Sequence, residues 1–189
     1  MTHTSKTIIF FGTDDFSAAT LNELIEKGFT IGAVVTKPDS QKGRGRSLQK
    51  PITKEIAEAH GIAVWQPLKM SEIIENIQQL TRELGEKPTG VLVSYGKIIP
   101  QAVIDLFEPA IINVHPSLLP KYRGPSPVET AVLNGDTETG VTIMQLSAAM
   151  DAGPIYSQVT VQLNDTETGP QLREQLAALG AQEISVLLP

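Results

Sequence analysis

The chain predicts an α/β fold, an open, twisted, mostly parallel sheet with helices on both faces and a short β-ribbon near the C-terminus. Three observations carry that reading. Short apolar runs rich in β-branched residues alternate with helix-length amphipathic stretches. The run Val91-Leu92-Val93 is apolar throughout, as in a strand covered on both faces. Beyond residue 140 the pattern changes to apolar–polar alternation over 141–146 and 155–161, which suits two paired strands with one open face. Together these describe a Rossmann-like sheet.

Residues 7–11 form a buried first strand. Gly12 to Asp15 turn the chain and supply an N-cap. A helix over 16–27 carries Leu21, Leu24 and Ile25 on one face, and Gly28 suits its C′ position. Residues 31–36 make the second strand, completing a right-handed βαβ unit. The turn holds one glycine, which rules out a Gly-x-Gly-x-x-Gly dinucleotide site. Around Gly96-Lys97 the glycine spacing is wrong for a phosphate loop, and Ile98 stands where Ser or Thr must meet magnesium.

Residues 37–50 read as a loop broken by Pro38, Gly43 and Gly45. Pro51 opens a helix to about His60, ended by Gly61. Residues 63–66 form a third strand with Trp65 in the core. Ser71 caps a helix whose apolar face is Ile73, Ile74, Ile77 and Leu80. Residues 91–94 are a central strand, a short helix runs from Pro100 to about Phe107, and 110–115 are the fifth strand. A helix over 126–134 precedes the alternating pair. Thr168 and Gln171 make a capping box for a last helix striped by Leu172, Leu176 and Leu179.

The totals narrow the function classes. A chain of 189 residues is the size of one domain. No cysteine is present, so a disulfide framework and a zinc-thiolate site are excluded. The three histidines, His3, His60 and His115, have no metal-ligand spacing, so no metal is expected. There is no signal peptide after Met1 and no apolar run of about 18 residues, so a cytoplasmic protein without a membrane span is expected. The net charge of -6 conceals an asymmetry. Residues 37–54 hold Lys37, Lys42, Arg44, Arg46, Lys50 and Lys54 against Asp39 alone, a local excess of +5. Glycine interleaved with arginine suits approach to a phosphate backbone.

The chemistry centres on the end of the fifth strand. Asn113 and His115 face one side of it and Val114 the other, before Pro116 stops the strand. Open α/β sheets place their sites at such strand ends. Asp151, in the loop after the first alternating strand, supplies a carboxylate that could orient the imidazole. The trio suits acyl transfer to an amine. Asn113 and a protonated His115 would stabilise the oxyanion, and the amine proton would leave through His115, Asp151 or an ordered water. With no Gly-x-Ser-x-Gly elbow and no cysteine, a covalent acyl-enzyme is not expected.

Four pieces in order resemble the formyltransferases that use 10-formyltetrahydrofolate: Asn113-Val114-His115-Pro116-Ser117-Leu118-Leu119-Pro120, Tyr122-Arg123-Gly124, Gly140-Val141-Thr142, and Met150-Asp151-Ala152-Gly153-Pro154-Ile155. The resemblance implies that Asn113, His115 and Asp151 are catalytic. It implies that Ser117, Leu118, Leu119 and Pro120 contact the folate, and that Leu92, Ser94, Tyr95 and Gly96 line the pterin pocket together with the loop before Asp151.

Phe11-Gly12-Thr13-Asp14-Asp15-Phe16 is similar to the opening of the branch acting on initiator methionyl-tRNA, where proline usually stands in place of Asp14. The basic segment resembles that branch's tRNA-approaching insertion, which implies that Lys42, Arg44, Arg46 and Lys50 contact tRNA. That branch continues into a β-barrel domain. Residues 1–189 therefore read as its catalytic domain, truncated before the barrel and monomeric. Two other readings are an amino-sugar nucleotide as acceptor and a catalytically dead RNA-binding module.

Overall fold

The computed structural model describes residues 6–42, 47–164 and 166–188. The chain runs β1 (Ile8–Gly12), α1 (Asp15–Glu26), β2 (Ile31–Val35), β3 (Ser40–Lys42), β4 (Ser47–Gln49), α2 (Ile52–Ala59) and β5 (Ala63–Trp65). A 3-10 turn (Met70–Ile73) leads into α3 (Ile74–Leu84), followed by β6 (Thr89–Val93), α4 (Gln101–Ile104), β7 (Ile111–His115), α5 (Pro127–Leu133), β8 (Glu138–Gln145), β9 (Ile155–Gln162) and α6 (Gly169–Leu187).

Seven strands form one sheet in the order β5-β2-β1-β6-β7-β8-β9. The first five of these pair in parallel, and β8 and β9 pair antiparallel. This is the expected mostly parallel sheet with helices on both faces. The two alternating strands do pair with each other, and through β7 they continue the main sheet.

Strand periodicity builds two cores. Ile8 and Phe10 of β1 face one side, with Val34, Val91, Ile112 and Val114, under α1 and α6. Ile9 and Phe11 face the other, with Ile73, Ile77, Val103 and Ile111, under α3 and α4. Each large side chain buried this way contributes about 1.5–3 kcal/mol. On the α6 side the packing is close: a methyl group at Gly180 would lie 2.6 Å from Cγ1 of Val114.

The ends of α1 follow the sequence. The Asp14 carboxylate accepts from the Ser17 amide at 3.2 Å, and Gly28 takes the left-handed conformation after the last turn. At α6, Oε1 of Gln171 accepts from the Thr168 amide at 3.0 Å.

Four expectations need correction. Within residues 37–50 there is a two-stranded ribbon, with Ser40 opposite Gln49 and Lys42 opposite Ser47. It has no apolar alternation to announce it. Its base is tied by Lys54, whose ammonium donates to Asp39 at 2.8 Å and to Gln66 at 2.9 Å. The Lys54 ammonium, then the Gln66 amide, hold the Asp39 carboxyl below the usual carboxylate range. Ser71 lies inside the 3-10 turn and α3 has no side-chain cap; Glu72 instead accepts from the Leu68 amide at 2.9 Å. Trp65 is half-buried because β5 is an edge strand. The short helix α4 stops at Ile104, after which the Leu106 and Phe107 amides donate to carbonyls three residues back, those of Val103 and Ile104, in place of α-helical bonds.

No helix among the described residues is long and apolar enough to cross a membrane.

Candidate active site

β6 and β7 end side by side, next to the point where the strand order reverses around β1. Open sheets bind ligands outside such a point. Here the strand exits open into a cleft of about 580 Å3. Its walls come from β6 and its exit (Leu92, Ser94, Tyr95, Gly96, Lys97, Ile98), from β7 (Asn113, His115, Pro116), and from the segment entering α5 (Gly124, Pro125, Ser126). Met150 and Asp151 close it from the β8–β9 connection, Phe16 from α1 and Arg173 from α6.

Asn113 and His115 sit on the face of β7 that carries Ile111, and both are nearly buried. Nε2 of His115 lies 3.0 Å from the Tyr122 carbonyl. A carbonyl can only accept, so Nε2 carries a proton and Nδ1 is left to face the cleft chemistry. Nδ1 stands 3.7 Å from Oδ2 of Asp151. That same oxygen accepts from the Gly124 amide at 2.8 Å, which fixes the carboxylate. The trio is therefore brought to one cleft from two segments far apart in sequence.

Three residues of the cleft wall, Ser94, Ser126 and Asp151, have positive φ, as does Tyr122 behind it. Such a conformation costs a non-glycine residue about 1–3 kcal/mol and persists only where the surroundings hold it. For Ser94 the hold is visible: its hydroxyl donates to Oδ2 of Asp14 at 2.6 Å. Tyr95 packs edge-on against Phe11 with ring centroids 5.8 Å apart, and its hydroxyl reaches Sδ of Met70 at 3.3 Å. Burial pushes its phenol up to about 12.

A protein-family model described as formyl transferase matches residues 5–187. The chain belongs to the formyl transferase family. It is 42% identical over 183 residues to a methionyl-tRNA formyltransferase of Geobacter metallireducens, covering 96% of this chain and 57% of that protein. To the methionyl-tRNA formyltransferase of Alcanivorax borkumensis it is 43% identical over 181 residues, 96% of this chain and 54% of that protein. The chain thus spans little more than half the length of these curated relatives. In fold it is similar to a phosphoribosylglycinamide formyltransferase from Streptococcus pneumoniae TIGR4, with a TM-score of 0.78 over 97% of this chain and 99% of that one at 19% identity.

Within this formyl transferase fold the residues singled out from sequence fall into three groups. Asn113, His115, Asp151, Leu92, Ser94, Tyr95 and Gly96 line the cleft. Ser117, Leu118, Leu119 and Pro120 do not; they begin one residue beyond Pro116, which does. Their polar groups are engaged elsewhere. The Ser117 hydroxyl donates to the Lys121 carbonyl at 2.6 Å, and the Thr142 hydroxyl donates to the Ser117 carbonyl at 2.6 Å while accepting from the Leu119 amide at 3.1 Å.

Of the basic group, Lys42 ends β3, while its side chain and the residues Arg44 and Arg46 lie outside the described residues. Lys50 is paired with Glu58 at 2.7 Å, which raises its pKa through the Glu58 hydrogen bond and charge. Met150 lines the cleft as expected of the loop before Asp151. Sequence reasoning missed Phe16 and Arg173 as cleft residues, and nothing in the pattern of α6 marks Arg173.

Proposed function

We propose that residues 1–189 form the catalytic part of an enzyme that transfers the formyl group of 10-formyltetrahydrofolate to the amine of initiator methionyl-tRNA. It would act in the cytoplasm, as a monomer. The observation that carries the reaction type is the meeting of Asn113, His115 and Asp151 in one cleft beside the β6 exit. The choice of acceptor rests on the similarity to the two methionyl-tRNA formyltransferases.

The cleft residues fit a folate. Leu92 and Ile98 offer apolar surface for a flat ring, and the irregular backbone from Ser94 to Gly96 offers amide and carbonyl groups to its edge. Ser117, Leu118, Leu119 and Pro120 would meet a part of the donor that extends past Pro116.

In the reaction the free amine attacks the formyl carbon, and negative charge gathers on the formyl oxygen. The Asn113 carboxamide and protonated His115 stabilise that charge. The Tyr122 carbonyl fixes Nε2–H, so Nδ1, 3.7 Å from Asp151, is the nitrogen that carries the second proton of the imidazolium. As the tetrahedral intermediate collapses to the formamide, the bond from the formyl carbon to N10 of the folate breaks. Nδ1–H of His115 gives its proton to N10, and the proton released by the amine passes to Asp151 or a water beside it and from there back to Nδ1. No bond to the enzyme forms. Lys42, Arg44, Arg46 and Lys50 would meet the tRNA backbone.

The test is formylation of charged initiator tRNA by this chain and by His115→Ala. Losing a charge-stabilising group of this kind costs about 10²–10³ in kcat. Equal rates for the two proteins would remove His115 from the mechanism.

A further inference from the structure

The cleft carries one basic fork that the reaction above does not use. Two basic side chains line the cleft among the described residues, Lys97 and Arg173. The Lys97 ammonium is directed away, donating to the Pro67 carbonyl at 2.7 Å. Arg173, on the first turns of α6, stays at the wall. Its guanidinium lies 5.2 Å over the Phe16 ring, and one nitrogen donates to Oδ2 of Asp14 at 2.6 Å. Its side chain is about a third exposed.

The Asp14 carboxylate is not Arg173's alone. The same oxygen accepts from the Ser94 hydroxyl at 2.6 Å, and the other accepts from the Ser17 amide at the start of α1. Three donors, one of them an amide at the N-terminus of α1, thus share one negative charge, so the guanidinium is positioned without being fully neutralised. An arginine has five N–H donors, and the single bond to Asp14 leaves others for the cleft. Its place over Phe16 and the bond to Asp14 restrain the fork in advance, which favours bidentate recognition of a phosphate.

We propose that Arg173, held by Asp14 and Phe16, is a specificity-determining residue that binds a phosphate on the amine acceptor. This rests on the acceptor reading above and deepens it: the acceptor must carry a phosphodiester near its reacting amine. A cation there rewards acceptors with that phosphate and leaves the folate side, lined by Leu92, Tyr95 and Gly96, unaffected. Asp14 is then a positioning residue. It stands where the resembling branch usually has proline.

The experiment compares two minimal acceptors with 10-formyltetrahydrofolate: the 3′-methionyl ester of adenosine, and the same ester on cytidylyl-adenosine, which adds one phosphodiester. A charge-assisted bond corresponds to a preference of roughly tenfold to hundredfold in kcat/KM for the second acceptor. Arg173→Met should abolish the preference and Arg173→Lys should keep part of it, with folate binding by fluorescence titration unchanged in both. Asp14→Asn should reduce the preference while Arg173 is still present.

In parallel, calorimetry with adenosine and adenosine 5′-monophosphate should show phosphate-dependent binding that Arg173→Met loses. Formylation of both esters at equal rates by the unsubstituted chain would overturn the proposal and leave the acyl-transfer reading standing. Formylation of neither ester, with Arg173-dependent binding of the monophosphate, would overturn that reading and keep the anion site. A loss of folate binding in Arg173→Met would show that the fork serves the donor, and would also overturn the proposal.

Discussion

Gly180 sits where α6 rests on the back of the strand that carries Asn113 and His115. Replacing it with alanine sets two effects against each other. In a helix interior the exchange gains about 1 kcal/mol from reduced backbone freedom. Here, however, the new methyl would stand 2.6 Å from Cγ1 of Val114 and 3.4 Å from Cγ1 of Val141. Val114 is 2% exposed, and its branched side chain has little rotamer freedom with which to retreat. Overpacking of that kind costs about 1–3 kcal/mol. The net expectation is a loss of about 1 kcal/mol, which for a chain of this size lowers Tm by roughly 2–4 °C.

Thermal unfolding followed by circular dichroism measures it, with Gly169→Ala as control, since a methyl there meets open space. Val114→Ala with Gly180→Ala should be more stable than the separate losses sum to, by about 0.5–3 kcal/mol of coupling. A rise in Tm for Gly180→Ala, as at a water-facing helix position, together with additive behaviour of the pair, would refute the packing argument. Because Val114 lies between the two polar residues of β7, formyl transfer by Gly180→Ala should also fall further than its stability loss predicts.

Three further predictions concern other parts of the chain. Thr142→Val removes a buried hydroxyl that bonds the Ser117 carbonyl, the Leu119 amide and Gln158, and should cost about 2–3 kcal/mol by urea denaturation; a loss under 0.5 kcal/mol would mean that the 117–120 turn holds itself. Tyr95, neutral in the fold up to about 12, keeps its proton when the unfolded chain has released it near the ordinary tyrosine value. The folded state then binds more protons, so stability falls as pH rises from about 10 to 12, and Tyr95→Phe should lessen that fall in denaturation curves across the range. Finally, Arg44→Ala with Arg46→Ala should weaken tRNA formylation and flatten its salt dependence with folate binding unchanged. Lys50→Ala should do less, its ammonium being engaged by Glu58; equal effects would reverse that ranking.

The sequence carried the sheet well because its strands are continuous apolar runs or clean alternations. The runs at 7–11, 91–94 and 110–115 each fell within two residues of the observed strands. Polar pattern served less well. The ribbon β3–β4 depends on Lys54, Asp39 and Gln66 meeting across the fold, which no local signal encodes.

At the cleft, Asn113 and His115 were legible because two residues apart on a strand means one shared face. Asp151 was legible only as a candidate, since its approach to His115 follows from the β7–β8 pairing and the left-handed turn at Asp151 itself. Arg173 was invisible: its position in the cleft comes from α6 folding back across α1, a contact between residues 159 apart in sequence.

The left-handed residues around the cleft carry a warning for anyone seeking a hardier variant. Glycine at Ser94, Tyr122, Ser126 or Asp151 would relax the backbone there, so a screen ranked by melting temperature alone would drift toward these positions. It would select proteins that survive heating with a slackened rim. Heat resistance and turnover in this chain are separate objectives and have to be scored separately.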